Sequence, residues 1–182
     1  MNKSIQLRNG EVVCLRLLSA DDGESLGRYF DALGEETRRR FGPHPLNAEY
    51  ARELVSRSQD SAKRLVVSNA SGEVKGYFIL ECEHFPHECE RFSAQGIELT
   101  PGRDVSFAPS VADDMQSQGL ASAVMPLVIE YVKSLGASSL VLMGGVQATN
   151  ERAVGFYRKF GFEPFGGYQT DVFNQDMRLC IL

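Results

Sequence analysis

Apolar and polar positions change period several times along the chain, and each change marks an element. Residues 12–18 are apolar and β-leaning, which predicts a strand, and Ser19-Ala20-Asp21-Asp22 directly after it is a helix-start signal. Leu26, Tyr29, Phe30 and Leu33 then recur at i, i+3, i+4 and i+7, one face of a helix. Gly42-Pro43-His44-Pro45 breaks that pattern, and Asn47 caps a second, shorter helix with Tyr50, Leu54 and Val55 inward. Residues 65–68 and 74–83 read as two strands around the turn Asn69-Ala70-Ser71-Gly72, and 84–102 reads as a loop insertion. Residues 104–111 form a strand interrupted by Pro109. Over 117–135 the apolar positions Leu120, Val124, Leu127, Val128, Tyr131 and Leu135 share one face of a long helix. A strand at 138–146, a helix at 150–160 and two strands at about 162–170 and 173–181 complete the chain.

The resulting order, β-α-α-β-β-β-α-β-α-β-β, shows no composition break, repeat or low-complexity segment. It predicts a single α/β domain over residues 1–182 with a mixed sheet. At 182 residues the chain is long enough for a real core, and 43% hydrophobic with 24% charged residues is the balance of a soluble globular domain. A net charge of −5 provides no basic field to draw it onto nucleic acid or an anionic membrane. The longest apolar stretch, 121–132, is broken by Pro126 and Glu130 and is too short to span a bilayer. The first residues carry no apolar signal core, and the four cysteines lack a CxxC pair, so the expected setting is the reducing cytoplasm. No G-x-S-x-G, P-loop, G-x-G-x-x-G or H-E-x-x-H motif is present, which points away from hydrolases, P-loop NTPases and Rossmann dehydrogenases.

The chemistry concentrates in two fragments. The first, Val111-Ala-Asp-Asp-Met-Gln116-Ser-Gln118-Gly119-Leu120-Ala121-Ser122, links a strand end to a helix start. A helix N-terminus leaves about four N–H groups unpaired and carries about half a positive charge, and Gly119 and Ala121 keep side chains out of the way of an approaching diphosphate. The fragment alone reads equally well as a helix capped by Asp113 or Asp114. The second, Val146-x-x-x-Asn150-x-x-Ala153-x-x-x-Tyr157-x-x-x-Gly161-Phe162, opens the following helix, with Ala153 and Tyr157 on one face. Taken structurally, Tyr157 is a core aromatic and Gly161 a helix C-cap.

In order and at this spacing, the two fragments resemble the GNAT superfamily of acyl-CoA-dependent N-acetyltransferases. Gln116-x-x-Gly119-x-Ala121 is similar to that family's Q/R-x-x-G-x-G/A diphosphate loop, with Val111 as the preceding strand valine. The second fragment is similar to its V-x-x-x-N…A…Y…G-F segment. The run Leu15-Arg16-Leu17-Leu18-Ser-Ala-Asp-Asp with Glu36-Thr-Arg-Arg-Arg-Phe41 also resembles the start of bacterial protein-lysine acetyltransferase domains. The resemblance implies a mostly antiparallel sheet flanked by helices, with a V-shaped splay between the fourth and fifth strands. Pro109 and Gly144-Gly145 fit the two sides of that splay.

By the same resemblance, acetyl-CoA is the co-substrate and no metal takes part. Val111, Gln116, Gln118, Gly119, Leu120, Ala121, Ser122, Asn150 and Tyr157 surround the cofactor, and Tyr157 with Asn150 serves catalysis. Gln118 stands where the family often has arginine or lysine; Arg152, Arg158 and Lys159 are candidates for the 3′-phosphate. A phenol at pKa ~10 can protonate a departing thiolate of pKa ~8.5, which is the role implied for Tyr157. The strand at 104–111 carries Asp104, Ser106 and Ser110 but no glutamate, so the base that deprotonates the amine stays open between Glu81, Glu83 and a water chain. The acceptor is an amine-bearing small molecule, peptide or protein, and the expected assembly is a monomer or homodimer. A non-catalytic acyl-CoA sensor is the alternative. Cys82, His84, His87 and Cys89 lie close in sequence, but their spacing does not form the two separated pairs of a zinc site. Arg38-Arg39-Arg40 reads as a solvated helix end.

Overall fold

The computed structural model describes residues 1–57 and 61–181. The chain forms two compact units, Met1–Ile79 with Pro109–Leu127, and Leu80–Ala108 with Val128–Leu182. Three elements pass from one to the other: β4 (Val74–Glu81), β5 (Asp104–Val111) and α5 (Leu120–Ser134).

The first unit begins with a hairpin of β1 (Asn2–Gln6) and β2 (Val12–Leu17), antiparallel from Asn2↔Arg16 to Gln6↔Val12. β2 pairs in turn with β3 (Ala62–Ser68), and the turn at 69–72 leads into β4. The sequence reading missed β1. Its residues are almost all exposed, so no apolar period marks it; it pairs with β2 along its full length. A 3₁₀ turn at Ala20–Asp22 precedes α1 (Gly23–Ala32), and Ser19 with Asp22 forms the capping box that the sequence signalled. The two guanidinium N–H groups of Arg16 donate to Asp22 at 2.6 and 2.7 Å. Burial pushes the Asp22 carboxyl up, but Arg16 and the Ser19 N–H outweigh it and hold the group below its ordinary range.

Leu26, Tyr29, Phe30 and Leu33 of the α1 face are buried as their spacing predicts, with Leu15, Leu54, Leu65, Tyr77 and Phe78 in the same core. α3 (Ala48–Ser56) is capped by Asn47, which accepts from Tyr50 N, and it crosses α1 closely at Gly27, where a Cβ would stand 3.1 Å from Ala48 Cα. Between them lies α2 (Glu35–Arg40), an additional helix. Its Arg38 corrects the expectation of a solvated basic run: it donates to the carbonyls of Leu33 (2.7 Å) and Phe30 at the end of α1, and of Leu46 (2.5 Å) in the segment before α3.

In the second unit, β6 (Ser139–Leu142) lies between β5 and β9 (Phe173–Cys180), with the short β7 (Val146–Gln147) and β8 (Glu163–Gln169) also paired to β9. β5 and β6 are parallel from Asp104↔Ser139 to Phe107↔Leu142, and Met143 N donates to Phe107 O at 3.0 Å. That ladder ends at the point beyond which the splay between the strands read as fourth and fifth would begin. The strand expected at 138–146 is two strands, because Gly144 (φ 69°) and Gly145 (φ 71°) turn the chain between them. The loop expected at 84–102 contains a helix, α4 (Pro86–Ser93), whose one turn of apolar signal is carried by Phe92 alone. Pro86 at its first turn was the available sign. Pro109 does not interrupt β5. α5 buries Leu120, Val124, Met125, Val128 and Val132, whereas Leu135, expected on that face, lies past its end and is 39% exposed. α6 (Glu151–Lys159) follows Asn150. Among the described residues, no helix is long and apolar enough to cross a membrane.

Candidate active site

The loop between β5 and α5 lies in the first unit. A 3₁₀ turn at Asp113–Met115 leads into Gln116, and then Ser117 (φ 62°) and Gly119 (φ 91°) both take left-handed backbone conformations. A Cβ on Gly119 would meet nothing within 4 Å, so the glycine is required by its φ rather than by packing. The first i→i−4 bond of α5 runs from Ala123 N to Gly119 O, at 2.9 Å. The N–H groups of Leu120, Ala121 and Ser122 therefore precede it at the positive end of the helix, a main-chain cradle for an anion.

Side chains brace this loop. Asp113, which the sequence offered as a cap for α5, turns the other way: Oδ2 accepts from Gly34 N (2.6 Å) and Oδ1 from Thr37 Oγ1 (2.5 Å). Gln116 Nε2 donates to Asp113 Oδ1 (2.9 Å), Thr37 Oγ1 (3.0 Å) and Val111 O (3.3 Å). The Gln116 amide is thus committed to holding the loop against α2. Gln118 Nε2 donates to Asp114 O at 2.5 Å, and Asp114 takes Lys75 Nζ at 2.9 Å. Val111, Gln116, Gln118, Gly119, Leu120, Ala121 and Ser122 are accordingly brought together in one stretch.

Asn150 and Tyr157 both lie in the second unit, at the start and near the end of α6. Asn150 caps α6, its Oδ1 accepting from Ala153 N at 3.2 Å, so one face of the amide is used structurally. Tyr157, one α6 face further on, is 8% exposed and packs its ring 5.3 Å from both Phe156 and Phe162. Burial alone raises its phenol above the ordinary value, which keeps it protonated. Gly161, at φ 87°, ends the helix as its sequence position suggested. Arg152, Arg158 and Lys159 are exposed on α6.

The polar groups of β5 are accounted for one by one. Asp104 is a structural anion: it accepts from Ser139 Oγ (2.5 Å), Arg178 Nη2 (2.6 Å) and Thr100 N (2.7 Å). Burial pushes its carboxyl up, but these donors outweigh that and hold it below the usual range. Ser110 shares a buried hydrogen bond of 2.8 Å with Tyr29. Ser106 faces His84, whose Nδ1 lies 3.0 Å from its hydroxyl, while His84 Nε2 is buried with no hydrogen-bond partner among the described residues. Of the two glutamates, Glu81 is the last residue of β4, and Glu83 lies beyond the strand and is exposed, so the two do not share a strand face. His84 is the residue that sequence reading passed over, having weighed it only as a metal ligand. Among the described residues no group of three or more His, Cys, Asp or Glu side chains is placed to hold a metal.

The profile of the Acetyltransferase (GNAT) family matches residues 30–162, a span that includes both fragments. The chain belongs to the GNAT acetyltransferase family. No curated protein sequence matches it. Solved structures agree on the GNAT fold. The GNAT domain of S. lividans PAT is 18% identical with a TM-score of 0.77, covering 98% of this chain and 96% of its own. The ribosomal-protein-S5-alanine acetyltransferase of Vibrio fischeri is 12% identical with a TM-score of 0.76, covering 98% and 97%. The spermidine N-acetyltransferase of Vibrio cholerae, solved with CoA and spermine, is 18% identical with a TM-score of 0.68, covering 93% and 95%. GNAT membership makes the chain an acetyltransferase by family, with a mixed α/β fold built on a mostly antiparallel sheet.

Proposed function

We propose that the chain is an N-acetyltransferase that moves the acetyl group of acetyl-CoA onto a primary amine, acting as a single domain over residues 1–182. The observation that carries this reading is the loop at 116–122, where two left-handed residues and a helix start gather N–H donors around a glycine. The N–H groups of Gly119, Leu120, Ala121 and Ser122 hold the diphosphate, Val111 ends the strand that lines the pantetheine, and Gln116 and Gln118 keep the loop rigid. Arg152 at the start of α6 and Arg158 and Lys159 in its last turn are the candidates for the 3′-phosphate.

The amine nitrogen attacks the thioester carbonyl, an oxyanion forms, and the C–S bond breaks as the amide bond is kept. Tyr157 passes its phenolic proton to the departing sulfur, and Asn150 anchors the helix that carries it. The proton lost by the amine needs a base, since deprotonating a lysine-type amine of pKa ~10.4 at pH 7 costs about 4.6 kcal/mol. With Asp104 committed to its donors, His84 is the group next to β5 that has a nitrogen to spare. The oxyanion faces main-chain N–H groups at the end of β5.

The neighbouring structures are named for a ribosomal protein's alanine and for spermidine, which supports reading the acceptor as a primary amine. The deciding experiment follows acetyl-CoA consumption by the purified chain against polyamines, aminoglycosides, amino acids and peptides. Stoichiometric CoA binding with turnover on one amine class supports the reading. Tight CoA binding with no turnover on any amine replaces it with the sensor.

A further inference from the structure

A second polar site lies wholly within the second unit, where α4 meets the Gly144–Gly145 turn and β9. Glu88 and Asp176 have side chains only 2% and 0% exposed, and Arg91 stands between them at 14%. Arg91 Nε donates to Asp176 Oδ2 (3.2 Å), Gln95 Nε2 donates to the same oxygen (3.0 Å), and Gly144 N donates to Glu88 Oε1 (3.2 Å). Four buried atoms of this group have no hydrogen-bond partner among the described residues. They are Glu88 Oε2, Asp176 Oδ1, Gln95 Oε1 and Arg91 Nη2. Native cores rarely leave such atoms unpaired, and four in one cluster point to something that binds there.

The chemistry of the missing partner follows from the count. Three of the four atoms are acceptors. Two carboxylates against one guanidinium leave an excess of one negative charge, which a buried site does not hold unneutralised. A water molecule brings two donors and no charge. A primary ammonium brings three N–H donors and one positive charge, matching the three acceptors and the excess charge. The fourth atom, Arg91 Nη2, is itself a donor and stands 3.7 Å from Glu88 Oε1 in an ion pair. Two glycines let the backbone close tightly on these atoms, which fixes where the unpaired oxygens stand. A Cβ at Gly145 would stand 3.3 Å from Asp176 Oδ1, and one at Gly166 would fall 1.4 Å from Gln95 Oε1. Gly166 is also the cross-strand partner of Asp176. The half-buried ring of Tyr168, 4.7 Å from the Arg91 guanidinium, forms the outer wall.

We propose that Glu88, Arg91, Gln95 and Asp176 form a binding site for one protonated primary amine, and that this amine is the distal ammonium of a diamine acceptor. The assignment to the acceptor rests on the acetyltransferase reading above; the amine site itself does not.

The test uses the full chain with 1,4-diaminobutane, butylamine and ammonium chloride as probes. Because Asp176→Asn also loosens Arg91 and puts the fold at risk, Glu88→Gln carries the test. It keeps the side chain's shape and its bond to Gly144 N while removing the excess charge. The expected kcat/KM for 1,4-diaminobutane exceeds that for butylamine by about ten- to a hundredfold, the scale of one charge-assisted set of hydrogen bonds, and the ratio falls to about one in Glu88→Gln. A ratio near one in the unmodified chain, or one that Glu88→Gln leaves intact, overturns the proposal. Thermal stabilisation by ammonium chloride that Glu88→Gln abolishes, without any diamine preference, marks a free-cation site and overturns the acceptor assignment. If no amine is acetylated, the acetyltransferase reading fails by itself. Calorimetric binding of 1,4-diaminobutane, lost in Glu88→Gln, then still supports the amine site, and absence of binding overturns it.

Discussion

Replacing Tyr157 by phenylalanine separates chemistry from binding more cleanly than any other single change. The ring is a core element, 8% exposed, edge-on to Phe156 and tilted against Phe162, and phenylalanine reproduces it. The hydroxyl makes no hydrogen bond among the described residues, and burial alone raises its pKa. Removing it breaks no bond in the fold, so urea unfolding of Tyr157→Phe should match the unmodified chain to within about 0.5 kcal/mol. If the phenol is the general acid, turnover should fall about 10²–10⁴-fold, or roughly 3–5 kcal/mol of transition-state stabilisation, with the KM for acetyl-CoA changing no more than about threefold. The raised pKa also sets the shape of the pH profile. An ordinary phenol would begin to lose its proton near pH ~10, but this one keeps it, so the unmodified enzyme should show no descending limb up to about pH 10. The assay is release of the CoA thiol, followed continuously from pH 6 to 10. A kcat within about threefold of the unmodified enzyme would remove Tyr157 from the mechanism, and a descending limb below pH 10 that survives in Tyr157→Phe would show that some other group supplies it.

Four other outcomes are expected. Gly119→Gln puts a side chain on a residue at φ 91° and into the path of the diphosphate, so CoA affinity measured by calorimetry should fall more than about tenfold, while the left-handed strain costs about 1–2 kcal/mol of stability. Thr37→Val keeps the shape but removes the hydroxyl that joins Asp113 to Gln116, which should raise the KM for acetyl-CoA about three- to tenfold with kcat nearly unchanged. His84→Asn should lower kcat/KM at neutral pH and recover much of it at high pH, where the amine deprotonates unaided; a loss uniform across pH would make His84 a structural residue. Burial pushes the His44 imidazole down to about 4, so the folded state binds fewer protons than the unfolded one. Stability from this group is complete above pH ~6.5 and is lost as the pH falls toward 4, by up to about 3 kcal/mol, and urea midpoints for His44→Gln should lack that decline.

The elements that carry the chemistry were legible because each announces itself twice, by period and by punctuation. The α1 face combined a 3.6-residue period with the Ser19–Asp22 box, and α6 combined Asn150 at its start with Gly161 at its end. Where one signal was missing, the reading failed. β1 is an exposed edge with no apolar alternation, and α4 buries just Glu88 and Phe92, so neither leaves a hydrophobic trace of its own. Gly144 and Gly145 fit one side of the expected splay, although two adjacent glycines more plainly mark a turn. The site shows the same division. Backbone donors follow from glycine and helix position, which sequence spacing encodes. The partners of side chains do not: Arg38 on three carbonyls, Asp113 on α2 and His84 on Ser106 depend on residues far away in the chain.

That division explains how a loop holding two aspartates and no cation can serve an anion. Asp113 and Asp114 would oppose a diphosphate if their charges faced it, at a cost that grows as water is excluded. Asp113 instead takes the Gly34 N–H, the Thr37 hydroxyl and the Gln116 amide, and Asp114 takes Lys75. Each carboxylate spends its acceptor capacity on donors of the first unit, and in doing so fixes Gln116 and the turn that precedes Ser117. A main-chain cradle needs that stiffness more than a lysine does, because an ammonium on a flexible stem can follow a phosphate whereas N–H dipoles act only where they already point. On the proposed reading, the acidic residues that look hostile to a diphosphate are therefore the ones that hold Leu120, Ala121 and Ser122 in position to meet it.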